Sequence, residues 1–379
     1  MKVLFLTNIP SPYRVDFFEE LGKLCELTVL YELRQATDRD AAWQNERARK
    51  TYEEVYLKPV IRQESSAWCP GVRDYLNSEK YDIIVVGVYS TPTGMQAIRY
   101  MKRHKIPYLL SCDGGFAAYG ERPVKRRLKT YFLSGARAYL SSGRLSDEYL
   151  TFYGADRERI YRFPFTSLRA EDILSKPVEA AQKRALREKL GMSEEKILLF
   201  VGSFIPRKGV DVLLRALARM QRDDRARAKT GSVGAYLVGG QETEEYESIV
   251  EREQLENVHF LPFHKSEELA EYYRAADLFV LPTREDIWGL VIGEALGYGI
   301  PVVTTDRCAA GVELLEDGAG SLVPTEDEKA LAEAITGILE DDELRAQMGQ
   351  KALSKISDYT VEEMAKRHVE IFRKAGIKS

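Results

Sequence analysis

Cysteine is scarce in this chain, with four in 379 residues, at Cys25, Cys69, Cys112 and Cys308. No two of them form a C-x-x-C pair, so the spacing suggests neither a zinc site nor a redox-active dithiol. Cys25 and Cys112 sit in or beside apolar runs, where a thiol serves as a small core residue, and a reducing compartment suits them. Positive charge is not in excess either. Lys and Arg number 55 against 59 Asp and Glu, a formal net charge of −4, which gives no whole-molecule attraction for nucleic acid or anionic lipid. An anionic partner must be held by a local patch. No stretch approaches the ~20 consecutive apolar residues of a membrane span. Met1 to Thr7, with one lysine and five apolar residues, reads as a first strand and is too short for a signal-peptide core. The expectation is a soluble cytoplasmic protein, with attachment to the inner face of the cell membrane left open. Internal repeats and low-complexity tracts are also lacking.

What is present is an ordinary globular composition, 44% hydrophobic and 30% charged, in a chain whose length suits two domains. Short apolar runs alternate with longer helical patterns, the signature of parallel α/β architecture. In the first half the runs are Val3–Thr7, Leu27–Tyr31, Ile83–Val88, Pro107–Ser111 and Ala138–Ser141. In the second half they are Ile197–Gly202, Ala235–Gly239, Val258–Leu261, Leu278–Leu281, Pro301–Thr304 and Ser321–Val323. The run Ile83-Ile84-Val85-Val86 suits a strand buried on both faces. Between the two sets, Phe165 to Leu190 is a charged helical stretch with Pro177 and no strand pattern, and reads as the domain junction. Open parallel sheets bind ligands at the C-terminal ends of their strands, so a ligand gripped by both domains is expected in a cleft between them.

Two loops of the second half carry the densest chemistry. Gly202-Ser203-Phe204-Ile205-Pro206-Arg207-Lys208-Gly209 follows a strand and opens a helix. A turn with Gly at both ends and adjacent Arg and Lys suits an anion, the Arg as a fork and the Lys as a point charge. A basic turn with a capping glycine explains the same residues. The second loop, Pro282 to Val291, carries Glu285 and Asp286 ahead of a helix. Carboxylates repel phosphate but accept hydrogen bonds from sugar hydroxyls, while free N–H groups at Gly289, Leu290 and Val291 suit phosphate oxygens. Glu294 lies one turn further on. Against this stands a plain account, in which acids favour a helix N-terminus and Gly293 and Gly297 permit close packing.

Here the sequence resembles the donor-binding half of the retaining, GT-B-fold glycosyltransferases of family four (glycosyl transferases group 1), in particular the bacterial surface-polysaccharide branch. The matching residues are Val201-Gly202, Arg207-Lys208-Gly209-Val210-Asp211, Ala275 to Pro282, Asp286, Trp288-Gly289-Leu290-Val291, Glu294-Ala295 and Gly299-Ile300-Pro301-Val302. The resemblance covers most of residues 195 to 330. It implies two Rossmann-like (GT-B) α/β domains with parallel sheets facing a central cleft. Residues 1–168 would bind the acceptor, residues 169–357 the nucleotide sugar, and a helix at 358–379 would return to the first domain. It further implies that Arg207 and Lys208 hold the diphosphate of a UDP- or GDP-sugar, that Glu294 takes the ribose hydroxyls, and that Asp286 contacts the donor sugar. Glu285 beside Asp286 leaves open which acid reaches the sugar. The family's usual Arg after the strand-ending Gly is Ser203 here, so Arg207 is expected to supply that charge. Phe263 and His264 match a segment that often reads the base, or form an ordinary surface loop. No cofactor and no metal are implied, although Asp38-Arg39-Asp40 is a D-x-D triplet.

The acceptor, a glycan or a lipid-linked or small-molecule hydroxyl, falls to the first domain by the same resemblance. Arg14 is read either as meeting a phosphate or sugar acid, or as pairing on the surface with Asp16 or Glu19. Asp113, where relatives carry a His, is read as accepting a hydroxyl and assisting catalysis, or as an Asp-Gly turn. The basic run Arg122, Lys125, Arg126, Arg127 and Lys129 is read as a solvated helix face, or as a peripheral contact with a membrane surface. Nucleic acid is not an expected partner. Three other functions remain: a nucleotide-sugar epimerase, a phosphorolytic enzyme on the same fold, and a non-catalytic binding subunit. An NAD-dependent dehydrogenase is disfavoured, because neither Asn8–Arg14 nor Gly202–Gly209 supplies G-x-G-x-x-G.

Overall fold

A computed structural model describes residues 1–35 and 51–376; the Asp38-Arg39-Asp40 triplet lies outside the described residues. The chain divides into two compact units, Met1–Arg169 with the C-terminal segment from Tyr359, and Ala170–Asp358.

The first unit is built on strands β1 (Lys2–Thr7), β2 (Glu26–Tyr31), β3 (Glu53–Tyr56), β6 (Ile83–Val86), β7 (Leu109–Cys112), β8 (Ala138–Ser141) and β9 (Ile160–Arg162), all parallel, in the order β3-β2-β1-β6-β7-β8-β9. Two short strands, β4 (Ile61–Arg62) and β5 (Ala67–Trp68), form a separate antiparallel ribbon. The central strands are mostly apolar because both faces are covered, and all four residues of β6 are apolar and buried. Helices α1 (Pro12–Gly22), α2 (Pro92–His104), α3 (Pro123–Leu133) and α4 (Arg144–Phe152) follow strand ends. Three of them open on a proline, whose missing N–H costs nothing in the first turn. Thr91 caps α2 by accepting from the Gly94 N–H at 3.0 Å.

The second unit has six parallel strands, β10 (Lys196–Val201), β11 (Val233–Val238), β12 (Val258–Leu261), β13 (Leu278–Leu281), β14 (Val302–Thr305) and β15 (Gly320–Val323), in the order β12-β11-β10-β13-β14-β15. Around them lie α5 (Ala180–Leu190), α6 (Val210–Arg222), α7 (Asp224–Thr230), α8 (Glu244–Glu253), α9 (Ser266–Ala275), α10 (Leu290–Gly297), α11 (Ala309–Leu314), α12 (Glu328–Leu339) and α13 (Asp342–Ile356). On α6 the buried residues Val210, Leu213, Leu214 and Leu217 recur at i, i+3, i+4 and i+7, one continuous stripe against the sheet. The last helix, α14 (Val361–Gly376), packs in the first unit. The Val361 N–H donates to the Leu168 carbonyl at 2.8 Å, and His368 sits fully buried with the rings of Phe17 and Phe163 each 4.5 Å away.

The eleven apolar runs of the sequence are all strands, each within two residues of the expected ends. The additions are β3, β9 and the β4–β5 ribbon, which are polar or too short to register as apolar runs. In both sheets the strand order reverses once, between β1 and β6 and between β10 and β13. Loops leaving neighbouring strands diverge there and open a crevice at the strand C-termini, where open α/β sheets bind ligands.

Candidate functional site

The crevice of the second unit is framed by the loop from β10 to α6 and the loop from β13 to α10, the two singled out by sequence. Their backbones are in contact. Gly209 has φ +70°, and a Cβ on it would stand 2.0 Å from the Pro282 carbonyl oxygen, so only glycine fits. From the other side the Arg284 N–H donates to the Arg207 carbonyl at 2.8 Å, and the Thr283 hydroxyl donates to the same oxygen at 2.9 Å. Arg284 forms a fork on Asp211 at the start of α6, at 2.9 and 2.8 Å, and also bonds Glu326 and the Pro206 carbonyl. Burial tends to raise the Asp211 pKa, but the bonds and charge of Arg284 outweigh it and hold that carboxyl below its ordinary value. Arg284 is raised in turn, chiefly by its bond to Asp211. Sequence reasoning passed over Arg284 and Thr283. They fix the frame, and their partners are too far away in the chain to be read from spacing.

On this frame Lys208 donates to Asp286 Oδ2 at 2.5 Å, with the two side chains only 14% and 9% exposed. Arg207 is half exposed; its Nη1 donates to the Glu285 carbonyl at 2.7 Å and lies 3.7 Å from Asp286 Oδ1. The two acids therefore separate. Asp286 faces the Arg207–Lys208 turn, while Glu285 is bonded at 2.6 Å by Arg307, a cation from the turn after β14. Asp286 is further fixed through its backbone. Its N–H donates to the Arg307 carbonyl at 2.8 Å and its carbonyl accepts from Ala309 at 3.1 Å.

Trp288 is buried, and its carbonyl accepts from the Ala310 N–H at 2.8 Å and from the Cys308 thiol at 3.3 Å. Burial, followed by the charge of Asp286, pushes that thiol up to about 12, so Cys308 packs as an inert neutral group. Gly289 caps α10 at φ +93°. The N–H groups of Gly289, Leu290 and Val291 have no acceptor within a helix that starts here, and they meet none elsewhere among the described residues. Glu294 accepts from the Tyr273 hydroxyl at 3.0 Å, and burial, then Glu294, raises that hydroxyl well above its usual pKa.

The cations here are balanced by acids, so spare capacity for negative charge lies in the outer N–H groups of Arg207 and the free amides of α10. Gly202 joins the frame from the β10 end, where its carbonyl oxygen would lie 2.4 Å from a Cβ at Gly239. Ser203 is exposed on the same loop. Phe263 is exposed beyond edge strand β12. His264 is engaged with α9, stacked on Tyr272 at 5.0 Å and bonded to Glu268 at 3.1 Å.

In the first unit Arg14, at the start of α1, is 3% exposed, and its Nη2 bonds Asp113 Oδ2 beyond the end of β7. The surface pairing with Asp16 or Glu19 does not occur. Asp16 and Glu20 instead take Arg169 at 2.8 and 2.9 Å. Arg14 turns inward because its guanidinium fits among the rings of Phe165, Phe5 and Tyr13, with centroids at 5.7, 5.8 and 5.8 Å. Arg14 Nη1 and Asp113 Oδ1 are both buried without a hydrogen-bond partner. Burial alone would lower the Arg14 pKa, but the Asp113 charge overrides it and raises it. Among the described residues no group of three or more His, Cys, Asp or Glu side chains is placed to hold a metal.

Known proteins divide in the same way. Residues 19–166 match the glycosyl transferase 4-like domain and residues 182–355 match glycosyl transferases group 1. The Anabaena HepE structure in complex with UDP superposes with a TM-score of 0.76 at 20% identity, covering 99% of this chain and 100% of that one. A glycosyltransferase from Rickettsia africae gives 0.76 at 13% identity, covering 100% and 99%. At such identities the likeness establishes the fold, the GT-B class of two parallel-sheet α/β domains. More particularly, the C-terminal unit is similar to the glycosyl transferases group 1 and the N-terminal unit to the 4-like domains. Among curated relatives, the D-inositol 3-phosphate glycosyltransferase of Nocardia farcinica is 29% identical over 321 residues, 80% of this chain and 67% of its own length. That of Kineococcus radiotolerans is 30% identical over 242 residues, 60% and 54%. The chain thus spans from about half to two thirds of these relatives' length.

Proposed function

We propose that the protein is a retaining glycosyltransferase of the bacterial surface-polysaccharide kind, working in the cytoplasm at the inner face of the membrane. Its donor is a UDP- or GDP-sugar held by the second unit, and its acceptor is a hydroxyl of a glycan, lipid-linked or small molecule, held by the first. The carrying observation is the pair of interlocked loops at the β10/β13 crevice. They bring a half-exposed Arg207, the Lys208–Asp286 pair and the free amides of α10 onto one frame. The complexes of HepE with UDP and UDP-glucose make UDP the first donor to test.

In this reading the bond between the anomeric carbon and the diphosphate breaks, and its electron pair stays with the diphosphate. Arg207, Lys208 and the α10 amides meet that growing charge, without a metal. The acceptor oxygen bonds the anomeric carbon from the face the diphosphate leaves, and its proton passes to a phosphate oxygen. Asp286 orients the donor sugar while holding Lys208, and Glu294 takes the ribose hydroxyls. Asp113, steadied by Arg14, accepts a hydroxyl of the sugar or acceptor.

The test is nucleoside diphosphate release from UDP- and GDP-sugars with and without acceptors, inositol phosphate among them, and the anomeric configuration of the product by NMR. Release that requires an acceptor and gives a glycoside of unchanged configuration is expected. Acceptor-independent turnover would instead identify an epimerase, and phosphate-dependent turnover a phosphorolytic enzyme. Donor binding without turnover would identify a binding subunit.

A further inference from the structure

Helix α3 inverts the usual pattern of a surface helix. Its buried residue is Leu133 at the C-terminal end. On the outward side, Val124, Leu128 and Tyr131 are 80%, 52% and 44% exposed. Their spacing of i, i+4 and i+7 sets them in one stripe along the helix. Single exposed apolar side chains are ordinary, but an aligned row on a solvent face is not. Tyr119, 80% exposed, continues the apolar surface in the preceding loop.

Cations rim the stripe. By helical geometry Arg127 falls on one flank and Lys125 on the other, and both are exposed. Arg122 stands exposed at the helix start. Arg126 lies over the Phe152 ring at 4.3 Å, a contact that anchors α3 to its own unit. One acid answers this charge. Glu121 pairs with Lys129 at 2.7 Å and stands 3.6 Å from Lys125. The basic end of α2 adds to the patch, since Lys102 bonds the Tyr131 carbonyl, and Arg103 and Lys105 beyond it are exposed.

We propose that this face of α3 seats the protein on an anionic phospholipid bilayer. Val124, Leu128 and Tyr131 enter the headgroup boundary, and Arg122, Lys125 and Arg127 meet lipid phosphates. A row of apolar side chains between cations is the pattern of an interfacial helix. Nucleic acid would leave the apolar row unused, and a chain of net charge −4 needs such a patch to approach an anionic surface. The proposal deepens the reading of a lipid-linked acceptor, but docking is measured without donor or turnover, so either can fail alone.

The test is co-sedimentation of the full chain with vesicles of phosphatidylcholine alone and of phosphatidylcholine with phosphatidylglycerol. Single-stranded DNA serves as a soluble polyanion. Binding to the anionic vesicles only, weakening with salt, is expected. R122Q/K125Q/R127Q should reduce it on the order of 100-fold, from about fivefold per cation. V124S/L128S/Y131S should reduce it at least ~10-fold while leaving any DNA binding unchanged. Because these side chains are exposed, circular dichroism and melting should match the parent for both variants. Equal binding to neutral and anionic vesicles, no binding to either, or full binding by the serine variant would overturn the proposal.

Discussion

Each unit places an ion pair at the C-terminal end of its sheet, and the two pairs differ in what they leave over. Around Lys208–Asp286 the unspent groups are donors: the outer guanidinium N–H groups of Arg207 and the first amides of α10. Around Arg14–Asp113 the unspent groups are one guanidinium nitrogen and one carboxylate oxygen, both enclosed. The first arrangement is suited to receive negative charge from outside. The second is suited to hold one carboxylate in place. A buried pair therefore marks an anion site only when the groups next to it have donors to spare, directed outward.

The comparison is broken most severely at Arg14. Arg14→Met leaves Asp113 facing an aromatic cage without its cation and should lower unfolding stability by about 3–5 kcal/mol in urea titrations. R14M/D113L should recover much of that loss. Equal losses in the single and double variants would mean that packing, not the pair, is at stake. In the second unit Lys208→Ala should lower turnover by ~10²–10³, the scale of losing one group that stabilises developing charge. An unaltered rate would place the phosphates elsewhere. Gly209→Ala forces a side chain into positive φ against the Pro282 carbonyl. It should cost about 2–3 kcal/mol and impair both loops together.

The smallest effect concerns acid. Burial holds His368 down at about 3, so this residue's contribution to stability is complete above ~6.5 and is lost as pH falls toward 3. Burial holds Glu32 up at about 7, against the bonds from Thr91 and Ala67, so its effect is opposite. Stability rises as pH falls from about 7 to its ordinary 4.5. Between these values the two trends cancel, each worth up to about 1.4 kcal/mol per pH unit. His368→Leu should therefore leave the protein gaining stability from pH 7 to 5, and Glu32→Gln should leave it losing stability over the same range. Parallel pH profiles for the two variants would contradict this. In the second unit Asp211 and Asp277 are held below their ordinary value, and their contribution to stability is lost as pH falls below about 4.

The sheets were legible in the sequence because a strand buried on both faces must be apolar from end to end. Strand β3, Glu53–Tyr56, carries two glutamates at the sheet edge, and β9 has three residues, so neither stood out. The loops were legible through their glycines and prolines. Their pairings were not: Arg284 with Asp211, Lys208 with Asp286 and Arg14 with Asp113 join residues 73, 78 and 99 apart. Charge type alone does not say which acid answers which base. Position 285 against 286 is the clearest case, since Arg307 claims Glu285 from the next strand. On α3 the apolar residues point both inward and outward, which is why the periodicity gave no single clean face.

The central claim is that the β10/β13 crevice takes a nucleoside diphosphate. The most direct measurement is thermal stability with UDP, GDP, ADP and their sugars, for the parent chain and for R207A/K208A. One of these ligands at 100 times its dissociation constant should stabilise the parent by ~2.7 kcal/mol and the variant hardly at all. Equal stabilisation of both proteins would show that the diphosphate is bound away from Arg207 and Lys208.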